Sequence, residues 1–397
     1  MIGSTPLFRR RLLGWYHAHR RDLPWRVPTG SPPDARPDPY AVLVSEVMLQ
    51  QTQVATVVGY FRRFMARFPT ITALAGANEQ ELLRVWQGLG YYSRAKNLRR
   101  AAGEIVRCHG GVIPSTVEAL LKLPGVGRYT AGAIASLAFD RPAPILDGNV
   151  TRVLCRLDGL IEDPRSAAMQ RRLWGRASEL VPDRRPGHFN SALMELGATV
   201  CTPRAPACLL CPVRAHCVAA ERGNAEQIPP PRKALPTPLE RRVVLCLFAP
   251  GDRPEAPPMT LLEQRPPTGR WAGLWQWVTF PAPPAGSPVD WSGVQQAIMP
   301  FTPPKQLFRL KHQLTHRRYE FEVFAATATC PLVIAGDRGG QRKWLSFSEL
   351  DQYPLSRPHA LIAEAFRSNG SPAATAALRH AVPATSLPAR ASARKKG

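Results

Sequence analysis

Acidic residues are scarce in this chain: 29 Asp and Glu stand against 52 Lys and Arg in 397 residues, a formal charge of +23. Such a deficit argues against a small acidic substrate as the main partner. It points instead to a polyanion, because releasing condensed counterions drives basic surfaces onto phosphate backbones. Long hydrophobic runs are missing as well: no stretch of eighteen apolar residues occurs, so no membrane span is expected. The Arg-rich start lacks the apolar stretch and cleavage site of a targeting segment. From Arg367 onward there is no acid at all, only six Lys or Arg, which leaves seventeen of the excess charges on the preceding sequence. The basic character therefore belongs to the folded part, and 367–397, rich in Ala, Ser, Pro and Arg, is expected to be a disordered basic tail.

Cysteine is limited to eight residues. Cys108, Cys155, Cys246 and Cys330 are scattered and read as small buried hydrophobes. The other four, Cys201, Cys208, Cys211 and Cys217, are separated by six, two and five residues, close enough to converge on one centre. Soft thiolates favour iron–sulfur clusters or zinc, and Pro203, Pro206 and Pro212 hold the intervening turns open. Four-thiolate zinc sites usually show two short paired spacings, so the unequal gaps favour a [4Fe-4S] cluster over zinc. A disulfide framework is the third option, at odds with a reducing interior.

The length suggests two or three domains. Apolar residues recur every three or four positions in 54–68, 79–86, 93–107, 130–139 and 149–160, so residues 1–224 are expected to be mostly helical. Residues 225–239 are proline-rich and aperiodic, as expected of a stiff linker. Beyond it, VVLCLFAP, MTLLEQR, WQWVTF and YEFEVFAATA are short apolar or alternating runs broken by Pro and Gly, followed by one helical stretch at 357–366. That pattern gives 240–366 an α+β fold.

Three local patterns carry chemistry. In 115–139, Ser115 and Glu118 are placed as a capping box, a helix runs to Leu123, and Pro124-Gly125-Val126-Gly127 makes a tight hairpin before an Ala-rich helix. Gly125 and Gly127 would admit a DNA phosphate close to the backbone, and the amides opening the second helix would bind it without reading sequence. Glu46, in YAVLVSEVMLQQTQV, is flanked at helical spacing by Val42, Leu49 and Val57, a lone acid on an apolar surface. Burial would raise its pKa and hold it protonated. Asp147 follows PAPIL and precedes Gly148-Asn149 and a helix; alone it reads as a helix N-cap.

LPGVGRYTAGA, then PILDGNV, then the four cysteines resemble the helix-hairpin-helix DNA glycosylase superfamily. DLPWR, SEVMLQQTQV and GLGYYSRAKNLR are similar to the MutY-type adenine DNA glycosylases within it. The resemblance is dense over 7–225 and weaker beyond. It implies an iron–sulfur loop at 201–217, Glu46 as general acid and Asp147 as the carboxylate facing the sugar. It further implies Trp25, Arg26 and Leu49 along an adenine pocket, and Gln51, Leu89 and Tyr91 entering the duplex near the estranged base. Asn149, with Gly125, Gly127 and Tyr129 of the hairpin, joins the DNA-contacting set. Tyr129 occupies the position where lyase relatives place a Schiff-base lysine, so a mainly monofunctional enzyme is implied. The implied partner is duplex DNA carrying adenine opposite 8-oxoguanine or guanine, handled by a monomer in the cytoplasm near the nucleoid.

The chemistry fits two carboxylates: adenine leaves only when a ring nitrogen is protonated and the oxocarbenium-like sugar is stabilised, which needs one neutral and one ionised acid. The base must also leave the stack, and that is easiest at a mispair. Region 240–366 resembles the Nudix-like module of the family. The stretch 274–300 contains no Glu, whereas metal-dependent pyrophosphate hydrolysis in that fold needs a Glu-rich helix. Recognition of 8-oxoguanine is the implied role, with Thr315 and His316 at the contact. The sequence departs from the family pattern in three places. His312-Gln313-Leu314-Thr315-His316 lacks the usual aromatic residue, Ser191 stands where Gln or Glu is usual, and the 27–39 loop is long. An endonuclease III-like lyase, a thymine-mismatch glycosylase and a non-catalytic iron–sulfur DNA-binding protein are the rival readings.

Overall fold

The computed structural model describes residues 5–32, 34–231, 236–249, 257–284, 286–329 and 341–368, so Cys330 and the basic tail from 369 lie outside the described residues. Two compact units result: Met1–Ala77 with Ser93–Lys233, and Asn78–Tyr92 with Ala234–Gly397. No helix among the described residues is long and apolar enough to cross a membrane.

The first unit is helical. Its Arg-rich start forms the helix Thr5–His19, whose Phe8, Leu12 and Tyr16 recur every four residues and are buried in the core while the arginines stay outside. Asp38 caps the helix Pro39–Leu49, with Pro39 preset at its first turn. Every residue from Tyr40 to Met48 is buried, as in a helix that is apolar all round. Its carboxyl end is tied by Arg94, a buried cation that donates to the carbonyls of Val47, Met48 and Gln50 at 3.0, 2.7 and 2.6 Å. A guanidinium there satisfies carbonyls left open by the helix and opposes the negative end of its dipole.

The hairpin differs from expectation by one residue. Thr116, not Ser115, caps the short helix Val117–Leu120, accepting from the Ala119 amide at 3.3 Å. With Thr116 as the cap, the third helical position is Ala119, so Glu118 cannot close a capping box. The helix also stops at Leu120 rather than Leu123, the chain continuing in turns to Pro124. Gly125 has φ +79°, and a Cβ there would lie 2.7 Å from Asn97 Cβ, so both conformation and space require glycine. The second hairpin helix is Arg128–Leu137. A second close approach joins the helices Gly148–Leu157 and Pro186–Thr199, where a Cβ on Gly197 would stand 2.7 Å from Asn149 Cβ. The proline-rich stretch begins inside this core: Ala225 and Ile228 are buried with the helices. Cys155 and Cys246 are buried as expected, but Cys108 is exposed, because the last turn of the helix Ser93–His109 carries it to the surface.

The second unit contains one six-stranded sheet with strands β1 (Leu239–Ala249), β2 (Met259–Gln264), β3 (Trp275–Pro281), β4 (Lys305–Gln313), β5 (Arg318–Thr327) and β6 (Arg342–Ser346), ordered β4-β5-β1-β3-β2-β6. β1 and β5 run parallel and the other pairs are antiparallel. Central β1 is covered on both faces: Val244, Cys246 and Phe248 enter one core, and Leu245, Leu247 and Ala249 the other. That explains its continuous apolar run. The helix Arg357–Ser368 packs Ile362, Ala363 and Phe366 against the first of these cores.

Candidate active site

Glu46 lies at the heart of the first unit, 4% exposed, on a helix with no polar neighbour of its own except Ser45. Tyr129, in the first turn of the hairpin's second helix, donates its hydroxyl to Glu46 Oε2 at 2.8 Å. Burial pushes the Glu46 carboxyl up to about 7; the Tyr129 hydrogen bond opposes this, the charge of Asp147 adds to it, and Arg26 opposes it. A carboxyl balanced near neutrality can be protonated in the resting protein and still release its proton.

Asp147 is the N-cap of Gly148–Leu157, so the conservative reading of the sequence is correct as far as it goes. Its Oδ1 accepts from the Val150 amide at 2.7 Å and its Oδ2 from Asn149 Nδ2 at 3.2 Å. Burial raises its pKa, but amide donors and the Arg152 cation pull the other way. Glu46 has only one hydroxyl donor. Both carboxyls are desolvated and raised by burial, but only Asp147 has helix N-terminal amides, joined by the Arg152 cation, opposing that rise, which favours its charged form over that of Glu46. Arg152 extends this arrangement, bonding Asn149 Oδ1 at 2.9 Å, the Gly197 carbonyl at 2.7 Å and the Cys201 carbonyl at 2.8 Å.

Both carboxylates line one cavity of about 960 Å³, together with Trp25, Arg26, Leu49, Gln51, Tyr129 and Asn149. Four segments distant in sequence, 25–26, 46–51, 129 and 147–149, thus deliver eight of the anticipated residues to one space. Trp25 is buried edge-on against Phe61, ring centres 5.3 Å apart. Ser191 lines the wall beside His188, Met194 and Glu195. Glu195 was not anticipated from sequence. It is fully buried and holds Arg21 at 2.6 Å and Arg26 at 2.9 Å, and these two cations keep it below the usual carboxylate range despite its burial. Arg26 is thus anchored as well as placed on the wall. The signal was present in FNSALMELG, a lone acid in an apolar helix, the same pattern that singled out Glu46. Arg94, which fixes the end of the Glu46 helix, was also missed.

The remaining anticipated contacts are spread more widely. Gly125 and Gly127 are exposed at the hairpin, and a Cβ on Gly127 would meet nothing within 4 Å, so no internal packing demands that glycine. Gln51 is exposed with φ +58°, and Tyr91 is 40% exposed with φ +48°. Left-handed backbone at non-glycine residues is uncommon and tends to mark functional positions. Leu89, in contrast, is buried at 6% exposure, so its side chain is not free at the surface. Thr315 and His316 are exposed at the tip of the β4–β5 hairpin, closed by the Leu314 amide donating to the Arg317 carbonyl at 2.8 Å. Leu314 turns inward onto the sheet core, and Thr315 Oγ1 lies 2.8 Å from the Tyr91 hydroxyl.

Cys201, Cys208, Cys211 and Cys217 are unpaired and half-buried in two 3₁₀ turns and their flanks. Burial pushes the Cys211 thiol up to about 12, with the other three cysteines close enough to add to the shift. Arg156, buried in the same region, donates to Cys201 Sγ at 3.3 Å and to the Thr202 carbonyl at 2.7 Å. Among the described residues no three His, Cys, Asp or Glu stand in a group that could hold a metal ion. The donor chemistry itself, four thiols on one short loop with the buried Arg156 beside Cys201, is that of soft ligands whose negative charge a cation can offset.

The chain matches the HhH-GPD superfamily base excision DNA repair protein family over 44–179 and the NUDIX domain over 256–365. The adenine DNA glycosylase of Rattus norvegicus is 38% identical, the match covering 89% of this chain and 77% of that protein. The human protein of the same name is 39% identical over 89% of this chain and 73% of its own length. Among solved structures, that of a thermostable thymine-DNA glycosylase is 30% identical with a TM-score of 0.48, covering 55% of this chain and 97% of the other.

Proposed function

Because the chain belongs to the adenine DNA glycosylase family, a group of DNA N-glycosylases, we propose that it flips adenine out of duplex DNA and hydrolyses its glycosidic bond where the base faces 8-oxoguanine or guanine. The observation that carries this reading is the pair of carboxyls on one cavity, Glu46 raised by burial to about 7 and Asp147 accepting from the Val150 amide at a helix N-terminus. Glu46 donates its proton to a ring nitrogen of the extruded base, turning a poor leaving group into a neutral one. Asp147 faces the sugar and stabilises the cationic charge that develops as the bond breaks. Tyr129 fixes the donor, and Trp25, Arg26 and Leu49 form the wall against which the purine is held.

The Gly125–Gly127 hairpin supplies phosphate contact without sequence preference, and Gln51 and Tyr91 enter the helix where the base has left. Enzyme action is mainly monofunctional, on a monomer, since Tyr129 offers no amine. Borohydride reduction during turnover should therefore trap little protein–DNA adduct. Efficient trapping abolished by replacing a lysine near the hairpin would contradict this.

The four cysteines hold a [4Fe-4S] cluster, which would fix the 201–217 loop through charge-compensated thiolates, with Arg156 and Arg152 joining that loop to the Asp147 helix. Protein purified without air should be brown and contain iron and sulfide, and Cys211→Ser should lose both. Stoichiometric zinc with no iron would overturn the assignment.

Preference for 8-oxoguanine is assigned to the exposed Thr315-His316 tip. Each well-made contact to the oxidised purine can contribute roughly 1–3 kcal/mol of discrimination, by analogy with base readout. In the full chain, Thr315→Ala with His316→Ala should cleave adenine opposite guanine much as before while losing about tenfold or more of its preference for 8-oxoguanine. An unchanged preference across salt concentrations would remove the tip from lesion recognition.

A further inference from the structure

The second unit contains a cavity of about 250 Å³ that the glycosylase reading leaves unused, lined by Arg242, Arg265, Arg270, Arg317, Trp271 and Tyr319, with Glu240 the one acid on its wall. Arg242 and Arg317 share Glu240. Arg265 and Arg270 have no carboxylate partner among the described residues: Arg265 donates to the Arg270 carbonyl at 2.9 Å and to Gln276 Oε1 at 3.0 Å, and Arg270 donates to the Tyr319 hydroxyl. The nearby Glu263 is turned to Gln276 Nε2, at 2.9 Å, and the Thr279 amide, at 3.2 Å. Four guanidiniums thus line one half-enclosed space whose single wall carboxylate engages only two of them, and Arg265 is half-buried as well. Solvated surface arginines would spread apart; these are held together by β1, the β2–β3 loop and the start of β5.

The aromatic walls exclude a flat base between them, since Trp271 and Tyr319 already face each other at 5.3 Å, with Arg265 and Arg270 over their rings at 5.9 and 5.4 Å. What remains is a recess rich in planar, multidentate donors, the chemistry that recognises phosphate oxygens. We propose that this cavity binds a phosphoryl group carried by a nucleotide. It would bind without hydrolysing, because residues 274–300 supply no Glu to hold a catalytic cation. Arg317 belongs both to the cavity wall and to the hairpin that presents Thr315 and His316, so a backbone phosphate seated here would place a DNA strand beside the proposed lesion contact; that version rests on the glycosylase reading. A free nucleoside monophosphate would use the same donors.

Full-length wild-type protein, Arg265→Gln and Arg317→Gln would be titrated calorimetrically with dGMP and with inorganic phosphate at fixed ionic strength. The same proteins would be titrated with a duplex carrying 8-oxoguanine over a range of salt. If the source is a free nucleotide, saturable dGMP binding should weaken at least tenfold in both variants. If the source is DNA, the slope of log affinity against log salt should fall by about one in each. Wild-type behaviour in both arms by either folded variant would overturn the proposal. Arg317 is exposed, so its variant keeps the test valid should the half-buried Arg265 prove necessary for folding. Adenine release by the wild-type protein is scored separately, so failure of the glycosylase reading would leave the dGMP arm interpretable.

Discussion

Glu46→Gln is expected to bind duplex DNA normally yet release adenine in single turnover roughly 10²–10⁴-fold more slowly, the usual contribution of a positioned general acid. Glutamine keeps the shape and still accepts the Tyr129 hydroxyl, so only the proton is lost. The same substitution has a stability signature. The folded-state pKa of Glu46, about 7, lies above its ordinary value of 4.5, so the native state binds this proton more tightly than the unfolded chain. Its stabilising contribution is therefore complete below about pH 4.5 and is lost as the pH rises through 7. Wild-type stability should fall relative to the Gln variant over that window, by an amount on the order of 3 kcal/mol. The wild-type rate should fall above pH 7 with the same titration. A near-native rate for Glu46→Gln, or a flat stability difference between pH 5 and 8, would remove Glu46 from the mechanism.

Asp147→Asn should be nearly as severe, with about 10²–10³-fold slower base release from loss of the charge facing the sugar. The variant separates chemistry from structure because asparagine is as good an N-cap as aspartate, and the Val150 amide keeps an acceptor. Asp147→Ala should behave differently, losing activity and also about 1 kcal/mol of stability with the cap. If Asn restored activity while Ala abolished it, the residue would be a cap alone. Substrate affinity measured alongside the rate completes the test: a charge acting in the transition state lowers the single-turnover rate more than it weakens binding.

Much of the site was legible because its chemistry opposes local preference. A carboxylate within YAVLVSEVMLQ or after PAPIL stands out against apolar surroundings; the 3.6-residue period places Glu46 on a helix, and the Gly-Asn that follows Asp147 marks it as a helix cap. Glu195 obeyed the same rule and was passed over, since its role lies in holding Arg21 and Arg26, a contact between residues more than 160 positions apart that no local pattern reveals. Arg94 was hidden for the same reason. In the sheet, the buried runs of β1, β2, β3 and β5 were readable, while β4 and β6 were not. These are the two edge strands, and KQLFRLKHQ and RKWLS carry the basic residues that keep exposed edges from pairing with other chains. Their polarity masks the alternation on which sequence reading depends. The helix cap moved from Ser115 to Thr116 because both residue types can cap and only the packing of Leu120 decides the phase.

The most direct measurement of the central claim is the identity of the free base released from matched duplexes. One set carries adenine opposite 8-oxoguanine, guanine or cytosine; the other carries thymine opposite guanine or an oxidised pyrimidine in a normal pair. The account predicts free adenine, fastest opposite 8-oxoguanine and slowest opposite cytosine, with no pyrimidine released and with loss of product in Glu46→Gln. Release of thymine or an oxidised pyrimidine by folded, cluster-containing protein that leaves adenine in place would contradict it.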